Sequence, residues 1–265
     1  MGRELVEKLL ERGDRVAATA RRPEQLADLA ERYGDQLWLG ALDVTDAAQV
    51  RIIVAEAFTA LGRIDVIVSN AGFGILGAAE ELSDTEVKQM IETNLTGSIT
   101  LAQVTIPHLR EQGGGHFIQL SSMGGLMAFP GFSLYHASKW GIEGFIEALG
   151  PEVEPFGIKT VLVEPGLIRT SFYEAMIRKD PLPVYADNQS IMRQESPLEE
   201  MAGDQSKVVD ALIAAGENPA PPRRLVLGSD AYSLIMQALQ SRVEEIRAQQ
   251  DTAAQTDVDG FTSRT

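Results

Sequence analysis

The chain has 265 residues, 44% of them hydrophobic, which is enough for one large α/β domain with a sizeable core and excludes bulk disorder. Its formal net charge of −15 argues against nucleic acid or an anionic membrane surface as a partner. There is no cysteine, and the three histidines (His108, His116 and His136) have no second histidine or carboxylate at ligand spacing, so no metal site is expected. No run approaches the ~18 apolar residues of a spanning helix. No signal peptide opens the chain, so a cytoplasmic protein without a membrane partner is expected.

Short apolar runs alternate with amphipathic stretches along the chain. Helical periodicity covers residues 3–12, followed by an apolar strand over 15–20 and a helix over 23–33. A strand over 37–42 and a helix over 47–61 come next, then a strand over 65–69 and a long helical pattern over 84–110. Strands over 116–121 and 159–163 flank a helix over 133–154. A helix over 205–215, a strand over 224–227 and a helix over 232–249 complete the pattern. Strands alternating with helices predict βαβ units, hence a doubly wound parallel sheet covered on both faces, in one domain over 1–250. Residues 166–203 break the rhythm with Pro181, Pro183 and Pro197, and read as a substrate lid. The polar residues 251–265 read as a frayed tail.

Tyr135 and Lys139 stand four residues apart on the helix over 133–154 and so share one face. An ammonium beside a phenol favours the ionised phenol, bringing its pKa of ~10 toward the range that acid–base catalysis needs. Ser122, thirteen residues before Tyr135, could hold a carbonyl oxygen against that phenol. Ligands of doubly wound sheets sit beyond the carboxyl ends of the strands. Asp43, Asn70, Ser122 and Glu164-Pro165-Gly166 each follow a predicted strand. Asn70-Ala71-Gly72 reads as a flexible turn that a flat ligand can approach, or as an ordinary turn. Around Asp43, Thr45 or Asp46 can cap the next helix, alongside a ligand-contacting role. Asn94, inside Thr93-Asn94-Leu95-Thr96-Gly97, reads as a helix break that exposes a carbonyl or binds water, or as a solvent-facing asparagine.

With these motifs in order and spacing, together with Pro165-Gly166-x-x-x-Thr170, the chain resembles the short-chain dehydrogenase/reductase family over roughly residues 2–228. It is most similar to the single-domain short form, including hydroxysteroid dehydrogenase-like carbonyl reductases. The resemblance implies a Rossmann-like fold, Tyr135 as acid/base and Ser122 orienting the substrate oxygen, with Ser121 structural. It implies that Lys139 binds the nicotinamide ribose and lowers the tyrosine pKa, and that Asn94 holds a relay water. Asp43 and Val44 would contact adenine, and Ile168 and Thr170 the carboxamide end. Asn70, Ala71, Gly72, Pro165 and Gly166 would border the dinucleotide. Arg21 and Arg22 follow the strand over 15–20, where a dinucleotide site selects its ribose 2′ group, and Ala20 stands where NAD-preferring members carry Asp. NADP is therefore the expected cofactor, ahead of NAD.

The chain departs from the family at its start. The family opens with an apolar strand and a Thr-Gly-x-x-x-Gly-x-Gly turn at the pyrophosphate, and here Gly2 matches only the last glycine. The first strand, central in the family sheet between those over 15–20 and 65–69, is missing. Four large apolar side chains in such a strand are worth on the order of 6–12 kcal/mol, comparable to the ~5–15 kcal/mol of a whole domain. Met1 is accordingly expected to be an internal methionine of a longer protein. The expected activity is interconversion of a secondary alcohol and a ketone or aldehyde by hydride transfer. The alternative is a truncated, non-catalytic Rossmann-like binding protein with impaired cofactor binding. Phe129, Phe132, Phe172, Tyr173, Met176 and Met192 are expected to line a pocket for a small apolar alcohol or carbonyl substrate. The resemblance further implies a homodimer or homotetramer built on the helices over 84–110 and 133–154.

Overall fold

In a computed structural model that describes residues 1–191 and 201–258, helices and strands alternate as the sequence pattern predicts. The first half runs α1 (Gly2–Glu11), β1 (Val16–Ala20), α2 (Ala27–Tyr33), β2 (Leu37–Ala41), α3 (Ala47–Leu61), β3 (Val66–Ser69), β4 (Ile75–Leu76), α4 (Asp84–Ile91) and α5 (Gly97–Glu111). The second runs β5 (Gly115–Leu120), α6 (Ser133–Val153), β6 (Ile158–Pro165), β7 (Ile177–Arg178), α7 (Gln205–Glu217), β8 (Arg224–Leu227), α8 (Ser229–Arg247) and α9 (Gln250–Ala254). Local chemistry sets several boundaries. Asp46 caps α3 by accepting from the N–H groups of Ala48 and Gln49 at 3.0 Å each. Ser83 and Glu86 form a capping box at the start of α4.

The long strands pair in parallel, in two separate sheets: β1 with β2, and the order β3-β5-β6-β8. The division between β1 and β3 falls where the resemblance puts the missing strand. It leaves Val66, Ile67 and Val68 only half-buried, whereas Phe117–Leu120 of β5 and Val161–Pro165 of β6 are buried throughout. The Met1 side chain packs beside Val66 and Val68 against the cluster of Ile118, Leu120, Val161 and Val163. A common core joins the two sheets. Leu42, Val50, Val54 and Phe58 pack with Phe117, Ile142, Ile146 and Leu162 across them.

Four expectations change. The helical pattern over 84–110 is interrupted by a π-helical turn, Glu92–Thr96, centred on Asn94. The helix over 23–33 opens as a 3₁₀ turn, Pro23–Leu26, before α2. The irregular stretch over 166–203 contains β7, which pairs with β4 through Ile75 opposite Ile177 and Leu76 opposite Arg178; its residues 192–200 lie outside the described residues. The tail does not fray at 251: α9 continues to Ala254, with Ala253 N–H donating to the Gln249 carbonyl at 2.8 Å. No helix among the described residues is long and apolar enough to cross a membrane.

Candidate active site

Parallel pairing aligns the strand ends, and the chemistry-bearing residues collect there. Ser122 follows β5 and turns back on itself, its Oγ accepting from Gly124 N–H at 3.0 Å. The same side chain acts on the phenol of Tyr135, on the first turn of α6, and favours its ionised form. Lys139 lies one turn further along α6 and is 6% exposed. Its Nζ stands 5.6 Å from the Tyr135 ring centroid and donates to the Leu120 carbonyl at 2.9 Å. Ser122, Tyr135 and Lys139 are thus brought together, and their spacing in the sequence reflects one site.

The electrostatics differ from the expectation of a lowered tyrosine pKa. Burial pushes the Tyr135 phenol up to about 12, with the Ser122 hydrogen bond working against it. Burial also brings the Lys139 ammonium down to about 8, opposed by the charge of Glu143. Desolvation therefore favours the neutral form of both groups.

Asn94 is buried rather than solvent-facing. Its side chain brackets Phe73, accepting from the Phe73 N–H at 3.0 Å and donating to the Phe73 carbonyl at 2.9 Å, and it also donates to Ser138 Oγ at 3.3 Å. The π turn is what turns this amide into the site. Asn70, Ala71 and Gly72 are exposed at the end of β3, and Gly2 at the start of α1 abuts the Asn70 amide. A Cβ on Gly72 would stand 3.3 Å from Asn94 Oδ1 and 4.0 Å from Lys139 Nζ, so this turn borders the same space.

The remaining predicted residues lie on the rim. Asp43 Oδ1 accepts from the Thr45 N–H at 3.0 Å and its hydroxyl at 2.7 Å, which holds the carboxyl below its usual pKa, with the charge of Arg21 adding to the effect. Val44 packs at the edge of the common core. Arg21 and Arg22 are exposed just after β1. Pro165 is buried at the end of β6, and the Gly166 N–H donates to the Leu227 carbonyl at 2.9 Å. Ile168 is buried and bridges to Gly203, while Thr170 Oγ1 accepts from the Phe172 N–H at 3.2 Å.

Of the predicted pocket residues, Phe132 and Phe172 meet Tyr135, with ring centroids 6.2 Å and 6.0 Å away. Tyr173 stacks edge-on against Phe172, and Met176 packs with Leu76, Ala78 and Ile191 beside Phe132. Phe129 does not join them: it packs with Met123, Met127, Ala231 and Ile235 against α8. Met192 lies outside the described residues. Sequence reasoning missed Leu76, Ala78 and Ile191, which lie in the short β4 segment and the irregular stretch, where no periodicity marks them.

A family model described as short chain dehydrogenase matches residues 1–180. The chain belongs to that family. A short-chain dehydrogenase from Streptomyces avermitilis is similar in structure, with a TM-score of 0.89 and 36% identity over 97% of this chain and 94% of that one. Oxidoreductase BOA17 of Botryotinia fuckeliana is 35% identical over 87% of this chain and 86% of its own length. A 3-ketodihydrosphingosine reductase of Bacteroides thetaiotaomicron is 33% identical over 84% of this chain and 76% of its own length. The chain is thus an oxidoreductase-family member with a parallel, Rossmann-like fold.

Proposed function

We propose that this short-chain dehydrogenase reduces an apolar ketone or aldehyde to the alcohol with NADPH. The observation that carries the reading is the convergence of Ser122, after β5, with Tyr135 and Lys139 on α6, Lys139 Nζ standing 5.6 Å from the Tyr135 ring centroid. A phenol pushed up to about 12 keeps its proton at neutral pH and suits an acid that protonates a developing alkoxide. The 3-ketodihydrosphingosine reductase among its relatives is, by its name, a reductase of a keto compound, which agrees with the reductive direction.

The residues fit a nicotinamide dinucleotide. Gly72 leaves room beside Asn94 and Lys139, and Arg21 and Arg22 offer guanidinium groups to a ribose 2′-phosphate at the end of β1. Gly2, Asp43, Val44, Asn70, Ala71, Pro165, Gly166, Ile168 and Thr170 would border the rest of the cofactor. A variant of ElxO at 25% identity, with a TM-score of 0.70, was solved with NADPH bound, which supports the same cofactor. The bound cofactor would supply the hydride. Ser122 would donate to the substrate oxygen and hold it against the phenol, and Tyr135 would transfer the proton. Lys139 would stabilise the phenolate left behind, and Asn94 would keep the Phe73 backbone in place beside it. Phe132, Phe172 and Tyr173 would exclude water from the reacting carbon.

The test is a panel of apolar ketones with NADPH, run on the wild type and Tyr135→Phe. Turnover by the wild type and its loss, with unchanged circular dichroism, in Tyr135→Phe are expected. Retention of most activity by Tyr135→Phe would refute the assignment.

A further inference from the structure

Beneath the Ser122–Tyr135–Lys139 group lies a buried charged cluster that the proposed chemistry does not use. Arg224 of β8 reaches three carboxylates. Its guanidinium donates to Glu143 of α6, to Glu164 Oε1 of β6 at 2.6 Å, and to Glu147 Oε2 of α6 at 3.1 Å. Glu143 and Glu164 are 3% and 0% exposed, whereas Glu147 faces solvent. One guanidinium thus serves two fully buried acids and a third at the surface. A buried carboxylate without enough positive charge around it is costly, and burial accordingly raises the pKa of both Glu143 and Glu164, that of Glu164 to about 7.

Among the described residues, the other cation that acts on Glu143 is Lys139. It precedes Glu143 by four residues, so the two share a face of α6. Both are buried, and the carboxylate of Glu143 favours the charged lysine. Glu143 cannot turn away, because Oε2 is held by Arg224 while Oε1 and Ser121 Oγ fill the space where Gly125 has no side chain. Ser121 therefore points into the cluster as its neighbour Ser122 points to Tyr135. The groups acting on Glu143 are Ser121 from the loop after β5, Arg224 from β8 and Lys139 from α6, and Glu143 in turn acts on Glu164 of β6. Lys139 Nζ also donates to the Leu120 carbonyl at 2.9 Å, which fixes the ammonium between Tyr135 and the cluster.

The geometry points to Glu143 as a positioning residue: anchored by Arg224, its carboxylate keeps the buried Lys139 ammonium charged beside Tyr135. This rests on the reading above that Lys139 acts on Tyr135. Neither Glu143 nor Arg224 touches the reacting atoms.

The test follows Lys139 itself. In ligand-free protein carrying ¹³Cε-lysine, the Lys139 resonance is assigned by its loss in Lys139→Met, and its pH titration is compared in the wild type and Glu143→Gln. Removing one nearby opposite charge should lower the Lys139 pKa by about one unit or more, while Glu147→Gln leaves it in place. Should Glu143→Gln fail to fold, Glu143→Asp retains the charge one methylene further back and should shift the titration by less in the same direction. An unchanged Lys139 titration in the folded variant would overturn the inference. The activity of Tyr135→Phe separates the two claims. If that variant is dead and the Lys139 titration does not move, only the role of Glu143 fails; if that variant stays active, the catalytic reading fails whatever the titration shows.

Discussion

Gly125→Ala probes the floor of the site with one added methyl. The new Cβ would stand 2.6 Å from Glu143 Oε1, 2.7 Å from Glu143 Cγ and 2.7 Å from Ser121 Oγ, each well inside contact distance. Glu143 is tethered to Arg224, so relief requires either a shift of the loop after β5 or a broken charged hydrogen bond. Overpacking of a buried site costs about 1–3 kcal/mol, and a lost hydrogen bond to a charged group about 1.5–3 kcal/mol. By either route the cost, about 1–3 kcal/mol, is a sizeable part of the ~5–15 kcal/mol that holds a domain together. Gly144→Ala is the internal control. It lies on α6 with nothing within 4 Å of its new Cβ, so the change should stabilise by about 0.5–1 kcal/mol through helix propensity alone. Urea unfolding followed by circular dichroism measures both. Adding Gly125→Ala to Glu143→Ala should cost far less than adding it to the wild type, because the blocking carboxylate is gone. A Gly125→Ala midpoint equal to that of the wild type, or equal costs in both backgrounds, would refute the packing argument.

Ser122→Ala should lower kcat by about 10²–10³, on the scale of a lost oxyanion donor, with the Kd for NADPH measured by fluorescence nearly unchanged; an equal loss in cofactor affinity would count against its placement on the substrate oxygen. Arg21→Ala and Arg22→Ala should each reduce the preference for NADPH over NADH about tenfold, on the scale of one charged hydrogen bond, and a ratio of kcat/KM values that stays constant would remove them from the 2′-phosphate site. Burial raises Glu164 from 4.5 to about 7, so its contribution to stability is fully present below pH 4.5 and is lost as pH rises to about 7. The urea midpoint of the wild type should therefore fall relative to that of Glu164→Gln across this window. A pH-independent difference between the two would show that Glu164 does not titrate there.

Much of this was legible because period and position carry it. The βαβ alternation follows from runs such as Val161–Val163, apolar throughout because both faces of an inner parallel strand are covered. Strand ends then locate Asp43, Asn70, Ser122 and Pro165 without any knowledge of tertiary structure. The π turn was half-legible: polar residues and Gly97 marked a weak helix at Asn94, but the direction of its amide depends on Phe73, twenty-one residues away. The β4–β7 pair was not legible, since two-residue strands have no period to read.

The pKa expectation failed for a more general reason. Spacing on a helix states that Tyr135 and Lys139 share a face, and it says nothing about how much water reaches that face. Here desolvation raises the phenol and lowers the ammonium, against the direction of their mutual attraction. Whether Lys139 can serve the tyrosine then depends on charge supplied from elsewhere in the fold. Glu143 is on the same helix, but Glu164 and Arg224 come from β6 and β8 and meet it only in the folded sheet. The sequence held one sign of this: Glu164 ends the apolar run Val161-Leu162-Val163, where burying an acid is costly and a nearby cation offsets part of the cost. The identity of that cation, Arg224, is a property of the strand order, because β8 lies next to β6 and aligns Arg224 with Leu162 in the register that brings its side chain to Glu164.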